Sequence, residues 1–214
     1  MPPPSRQTEL RREYSGRALR EADVAADPYT QFGLWFAEAV EAAVREPTAV
    51  VVATAHPELG LRARCVLLKE WDERGFVFAT NFASRKGVDL AADPRVGLVF
   101  PWLELHRQVH ISGVAERAEE AVSDRIFAAR PRGAQLAAWA SAQSQVLGSR
   151  DELLARVAAL DAAHPGEVAR PAGWGAYRVR PDEVELWQGQ PDRLHDRLRY
   201  RRTTEGWLLE RLAP

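Results

Sequence analysis

The chain has 214 residues, 46% of them hydrophobic, which is enough to bury a sizeable core in one domain. Twenty-nine Lys and Arg against thirty Asp and Glu leave a formal charge of -1, which argues against a general nucleic-acid or membrane-surface binder, because counterion release needs a strong basic excess. A single cysteine, Cys65, excludes an intrachain disulfide.

The opening MPPPSRQTELRREYSGRALREAD carries charges where a signal peptide needs an apolar segment, and no stretch has the apolar length of a membrane span. The expectation is a soluble, cytoplasmic protein. Residues 1–25 are rich in Pro, Arg and Glu with little apolar periodicity and read as a mobile arm, leaving residues 26–214 as the folded domain. From Tyr29 to Arg45, Phe32, Trp35, Phe36, Ala39, Val40 and Ala43 recur at three and four residues, predicting an amphipathic helix with Pro47 just beyond it.

The period then changes. Residues 48–55, 62–71, 75–80, 95–102 and 107–118 are β-branched or aromatic runs separated by short turn-bearing stretches, the pattern of antiparallel strands. A sheet of that kind tends to close into a barrel without free edges. Helices are predicted over 119–129 and 150–162, the second capped by Ser149, and strands return at 174–181, 183–189 and 206–212. The fold class is α+β, one domain on an antiparallel barrel.

Three stretches carry chemistry. In TNFASRKGVDLAADP (80–94), Ser84 is a good N-cap and Pro94 a stop, so a short helix should begin at Arg85. Its first turn holds Arg85 and Lys86, which oppose the helix macrodipole unless a phosphate sits there with the free N–H groups. In RARCVLLKEW (62–71), Arg64 and Lys69 bracket an apolar run. In WQGQPDRLHDRLRY (187–200), Arg193, His195 and Arg197 fall on alternate positions, so one extended strand would place all three on one face, suited to an anion. Each is equally readable as solvated charge at a strand end or helix start. There is no phosphate-binding or dinucleotide-binding glycine loop. His106 and His110 could share a strand face, but they lack a third ligand of recognisable spacing, so no metal is expected. Cys65, within an apolar run, reads as a packed thiol.

Taken together, RCVLLK (64–69), FATNFASRKG (78–87), FPW (100–102), RQV (107–109), RPRGAQLAAWAS (130–141), QS (143–144) and EVELWQGQPDRLHDRLRY (183–200) resemble the pyridoxamine 5′-phosphate oxidases, from LRREY (10–14) to the terminal RLAP. The resemblance implies an antiparallel split β-barrel of Greek-key-like order with flanking helices, forming a homodimer with FMN at the subunit interface. It implies oxidation of pyridoxamine 5′-phosphate or pyridoxine 5′-phosphate to pyridoxal 5′-phosphate by O2, releasing H2O2 and, from the amine, NH3. It assigns FMN to Arg64, Cys65, Val66, Leu67, Lys69, Ala79, Thr80, Arg85, Lys86, Gln108, Gln143, Ser144, Trp187 and Arg197. Lys69, Arg130, Arg193 and His195 would contact the substrate, Lys69 and Arg130 at its phosphate, with Arg193 and His195 orienting the reacting carbon. Arg11 and Tyr14 match an arm that closes over the substrate.

Two positions depart from the family pattern. Ile126 and Ala134 stand where a Tyr and a Ser usually donate to the substrate phosphate. That departure leaves open a related FMN oxidase of another ring, as in phenazine-type secondary metabolism, and also a flavin-binding barrel without turnover.

Overall fold

The computed structural model describes Tyr14 and residues 16–214. Arg11, expected in the substrate arm, lies outside the described residues, as does most of the predicted arm itself. The chain divides into two compact units. The larger comprises Thr48–Leu98 with Ser112–Asp182; the smaller comprises Val99–Ile111, Glu183–Pro214 and the described residues up to Pro47.

Eight strands form the sheet: β1 (Ala49–His56), β2 (Gly60–Asp72), β3 (Gly75–Asn81), β4 (Arg95–Trp102), β5 (Arg107–Arg117), β6 (Trp174–Gln188), β7 (Asp196–Thr203) and β8 (Gly206–Arg211). The first six are hydrogen-bonded in the order β3-β2-β1-β4-β5-β6, and β6 pairs with β3, so the sheet closes as a six-stranded barrel. The expected α+β antiparallel barrel is what forms. Closure matters physically because it leaves no row of unpaired backbone groups along these strands.

Predicted strands 174–181 and 183–189 are one strand, β6. The expected boundary between them falls where the strand exchanges partners: residues 174–179 pair with β3 and 183–188 with β7. Gly113 of β5 faces this point. A Cβ there would meet the Arg180 carbonyl oxygen at 2.2 Å, so only glycine lets the two backbones approach.

In the larger unit, α2 (Arg85–Ala92), α3 (Glu120–Ala128), α4 (Arg132–Ala140) and α5 (Arg150–Ala163) accompany the strands; in the smaller, α1 spans Pro28–Glu41. Asp27 caps α1 by accepting from the N–H groups of Tyr29 and Thr30, both at 2.9 Å. The helix was predicted to run to Arg45 but stops at Glu41, because Ala43 and Glu46 adopt positive φ of 52° and 57°. Helices α3 and α5 form where expected; α4 was not anticipated. Phe127, Leu136, Val168 and Trp174 form a buried cluster of the larger unit, while Phe32 packs edge-on to Phe100 in the smaller. Among the described residues no helix is long and apolar enough to cross a membrane.

Candidate functional site

The site of the larger unit is built from the barrel strand β2, the end of β3, and the start of α2. Ser84 caps α2, its hydroxyl accepting from the Gly87 N–H, so the helix begins at Arg85 as the sequence predicts. Gly87 is required here: a Cβ would meet the Phe82 carbonyl oxygen at 2.2 Å.

The Lys86 ammonium is turned inward, only 8% of the residue being exposed, and donates to Thr80 Oγ1 at 3.0 Å and Ser84 Oγ at 3.4 Å. Thr80 in turn donates to Gln143 Oε1 at 3.2 Å. No carboxylate forms an ion pair with Lys86 among the described residues. Burial, followed by the charge of Arg64, pushes the Lys86 pKa below the ordinary lysine value, with Asp89 opposing. A buried cation held by hydroxyls alone is expensive unless an anion completes it.

Arg64 projects from β2, donating through Nη1 to Val52 O at 3.0 Å and Thr54 Oγ1 at 2.8 Å, with Nη2 3.5 Å from Asp89. Lys69 lies five residues on, and in a regular strand it would face the other way. The register with β3 slips between Leu68 and Glu70, placing a bulge at Lys69, and bulges re-aim side chains.

These groups line a cavity of about 690 Å³ in the larger unit. Its wall contains Arg64, Cys65, Val66, Leu67, Lys69, Ala79, Thr80, Lys86 and Gln143 of the expected cofactor set, together with Arg130, Ile126 and Ala134 of the expected substrate set. Arg130 donates through Nη2 to Ala134 O at 2.8 Å and stands 4.8 Å over the Trp174 ring; its Nε is buried without a partner. Burial lowers its pKa from the usual arginine value. Arg85 and Ser144 line a smaller cavity of about 230 Å³ with Arg62. The Arg85 N–H donates to Ser144 Oγ at 3.1 Å.

The remaining expected residues belong to the smaller unit. The Trp187 and His195 rings are 4.6 Å apart, and Tyr14 stands edge-on to both at 5.6 and 5.5 Å. The Gln190 N–H donates to His195 Nδ1 at 3.1 Å, so the neutral imidazole carries its hydrogen on Nε2. Gln108 Oε1 lies 2.9 Å from His110 Nε2, and Arg197 pairs with Glu185.

The single-strand stripe of Arg193, His195 and Arg197 does not exist. Only Arg197 is on a strand; Arg193 ends the turn Pro191–Arg193, in which Asp192 and Arg193 take φ of 55° and 63°, and His195 follows before β7. Pro191 and two left-handed residues in succession rule out extended backbone. His106 likewise is not on β5 but in a left-handed turn before it, so it does not share a strand face with His110. Cys65 is exposed rather than packed, because it points away from the face that carries Arg64.

The sequence reading passed over Arg62, Asp89, Trp174 and Glu185. Arg62 had a signal, its two-residue spacing from Arg64 on a strand; Asp89 had another, its four-residue spacing from Arg85 on a helix.

Residues 36–163 match the family described as pyridoxamine 5′-phosphate oxidase, and residues 174–214 match the pyridoxine 5′-phosphate oxidase C-terminal dimerisation region. The pyridoxine/pyridoxamine 5′-phosphate oxidase of Rubrobacter xylanophilus is 53% identical over 206 residues, which are 96% of this chain and 95% of that protein. That of Thermosynechococcus vestitus is 51% identical over 98% of this chain and 100% of its own. Among solved structures, PhzG from Burkholderia lata 383, crystallised with tetrahydrophenazine-1-carboxylic acid, is 35% identical with a TM-score of 0.88, covering 94% of this chain and 100% of that one. By this measure of sequence and fold together, the chain belongs to the pyridoxamine 5′-phosphate oxidase family.

Proposed function

We propose that the protein is an FMN-dependent oxidase that converts pyridoxamine 5′-phosphate or pyridoxine 5′-phosphate to pyridoxal 5′-phosphate with O2, releasing H2O2 and, from the amine, NH3. The observation that carries this reading is the buried, acid-free ammonium of Lys86 beside Arg64 at the start of α2, in a cavity large enough for a ring system. Cations gathered at a helix start suit a phosphate. The residues therefore fit FMN: Lys86, Arg85, Arg64 and Ser144 at its phosphate end, and Thr80, Gln143 and the strand residues Cys65 to Leu67 along the wall. When bound, FMN takes up hydride from the substrate and returns the electrons to O2.

The chain's own residues bind, orient and handle the proton. Lys69 and Arg130 hold the substrate phosphate; the stacking of Arg130 over Trp174 fixes the plane of its guanidinium. Arg193 and His195 orient the pyridine ring. With Nδ1 accepting from the Gln190 backbone, His195 presents an Nε2–H donor toward the substrate's hydroxyl or amine. Trp187 and Arg197 complete the flavin site, which lies at the interface of a homodimer.

One surface supports the dimer. On β1 and β2 the in-register pairs Ala49 with Leu67, Val51 with Cys65, Ala53 with Ala63 and Ala55 with Leu61 share one face, and it is wholly apolar. Leu61 is 84% exposed there, the kind of patch that an association covers.

Ile126 and Ala134 in the cavity wall favour a second reading, oxidation of a different ring as in phenazine-type metabolism, since neither donates to a phosphate. The two separate by turnover of pyridoxamine 5′-phosphate against unphosphorylated pyridoxamine. The deciding experiment is the visible flavin spectrum recorded anaerobically before and after pyridoxamine 5′-phosphate is added. Bleaching, followed by peroxide release on admitting air, is expected; a spectrum that stays oxidised would sink the proposal, and a non-catalytic flavin barrel would take its place.

A further inference from the structure

The charges around the start of α2, on the two cavities that flank it, do not balance. Arg62, Arg64, Arg85 and Lys86 bring four cations, yet among the described residues their ion pairs are two long ones to a single carboxylate, Arg64 to Asp89 at 3.5 Å and Arg85 to Asp89 at 3.6 Å. Asp89 is fully buried and also accepts from the Thr54 hydroxyl at 2.7 Å, so its capacity is shared three ways.

Arg62 is the member of this group that no part of the functional reading uses. It sits two residues before Arg64 on β2, opposite Thr54, so the two guanidinium stems leave the same face of the strand. Burial holds the Arg64 pKa below the ordinary arginine value; Asp89 opposes this, and the charge of Arg62 adds to it. An exposed arginine extends its flexible stem to carry its charge into water. Arg62 does the opposite: its Nη1 is buried without a hydrogen-bond partner, and the residue lines the small cavity with Arg85 and Ser144, where Arg85 Nε makes no hydrogen bond and has only Asp89 Oδ1 near it, at 3.6 Å. A partnerless buried guanidinium nitrogen on Arg62, and a second on Arg85 held only by a long ion pair, form a cost that a doubly charged oxyanion between the two residues removes.

We propose that Arg62 is a further phosphate ligand, joining Arg85, Lys86 and Ser144 on the terminal phosphomonoester of the flavin, and that it makes the site selective for FMN over riboflavin. Asp89 acts as the positioning group that holds Arg64 and Arg85 at its edge. This rests on the flavin reading given above and adds one residue to it.

The test is flavin-fluorescence titration of the full chain stripped of flavin, as wild type, Arg62→Ala and Arg62→Lys, with FMN and riboflavin as probes and salt as a variable. Loss of one charge-assisted hydrogen-bonding group is expected to raise the FMN Kd of Arg62→Ala by roughly 10- to 100-fold, leave the riboflavin Kd unchanged, and flatten the salt dependence. Arg62→Lys keeps the charge but not the planar fork and should fall between. An FMN Kd within twofold of wild type for Arg62→Ala, or equal losses for FMN and riboflavin, overturns the role of Arg62 while leaving the flavin site standing. Wild-type protein that binds neither flavin overturns the flavin reading and this inference with it.

Discussion

Arg197 places Nε and Nη2 on the two carboxylate oxygens of Glu185, at 2.7 and 3.0 Å. The pair is diagonal across β6 and β7, since Arg197 sits opposite Trp187 and Glu185 opposite Arg199, and such neighbours share a face of the sheet. Glu185 is buried, so this fork fixes the direction in which the Arg197 guanidinium points. Truncating it as Glu185→Ala removes the carboxylate from Nε and Nη2 and leaves Arg197 only its Nη1 bond to the Ala213 carbonyl at 2.8 Å, and is expected to cost about 1–3 kcal/mol in urea unfolding. The same variant should bind FMN more weakly, because one bond to a carbonyl near the C-terminus no longer fixes the plane of the Arg197 guanidinium. Unchanged stability together with unchanged FMN affinity would show that the fork holds nothing in place.

Gly87→Ala tests the start of α2. The added methyl would meet the Phe82 carbonyl oxygen and carbon at 2.2 and 2.6 Å, both backbone atoms that cannot swing aside. Overpacking of this kind costs about 1–3 kcal/mol. Because the helix start also carries Arg85 and Lys86, the FMN Kd should rise in parallel with the loss of stability. A variant as stable as wild type would contradict the close approach seen between Gly87 and Phe82.

His110 supplies a pH dependence. Burial depresses its pKa below the ordinary 6.5, Glu185 opposes that shift, and Arg197 reinforces it. The folded state therefore favours the neutral ring. The unfolded chain binds the extra proton first as pH falls, so this contribution is complete above about pH 6.5 and is lost progressively below it. The Tm of wild type should drop between about pH 8 and 5 by more than that of His110→Gln. Parallel curves for the two proteins would rule the contribution out.

Ala134→Ser restores a hydroxyl beside Arg130, whose Nη2 already reaches the Ala134 carbonyl at 2.8 Å. A new hydrogen bond to the substrate phosphate is expected to lower the KM for pyridoxamine 5′-phosphate by about 10-fold with little change in kcat. Ile126→Tyr should behave less simply, because Ile126 packs against two buried clusters and the larger ring would disturb both. An unchanged KM in Ala134→Ser would mean that the phosphate does not sit at the start of α4.

Much of this was legible in the chain itself. Ser84 marked the start of α2 to the residue and Pro94 its end to within two, because a cap and a stop are decided within a few residues. The alternating runs of β1 to β5 were equally plain, since burial on one face imposes a period of two. Helix α4 escaped notice although its Ala, Leu and Gln are good helix formers: it is only nine residues long and starts after Pro131 without a capping side chain, so no start signal announced it. The division of β6 into 174–181 and 183–189 was misread for a related reason, since one strand that changes partner along its length has no local signal of its continuity.

The sequence by itself determined the periodicities, the caps and the supply of cations, all of which follow from interactions between near neighbours along the chain. Only the tertiary structure decided which cations face which. It turned Lys69 with a bulge, removed Arg193 and His195 from the strand through two left-handed residues, and brought Arg64 of β2 to Asp89 of α2. Those outcomes depend on register and close approach between segments far apart in sequence, and no local pattern encodes where a distant carboxylate or carbonyl will lie.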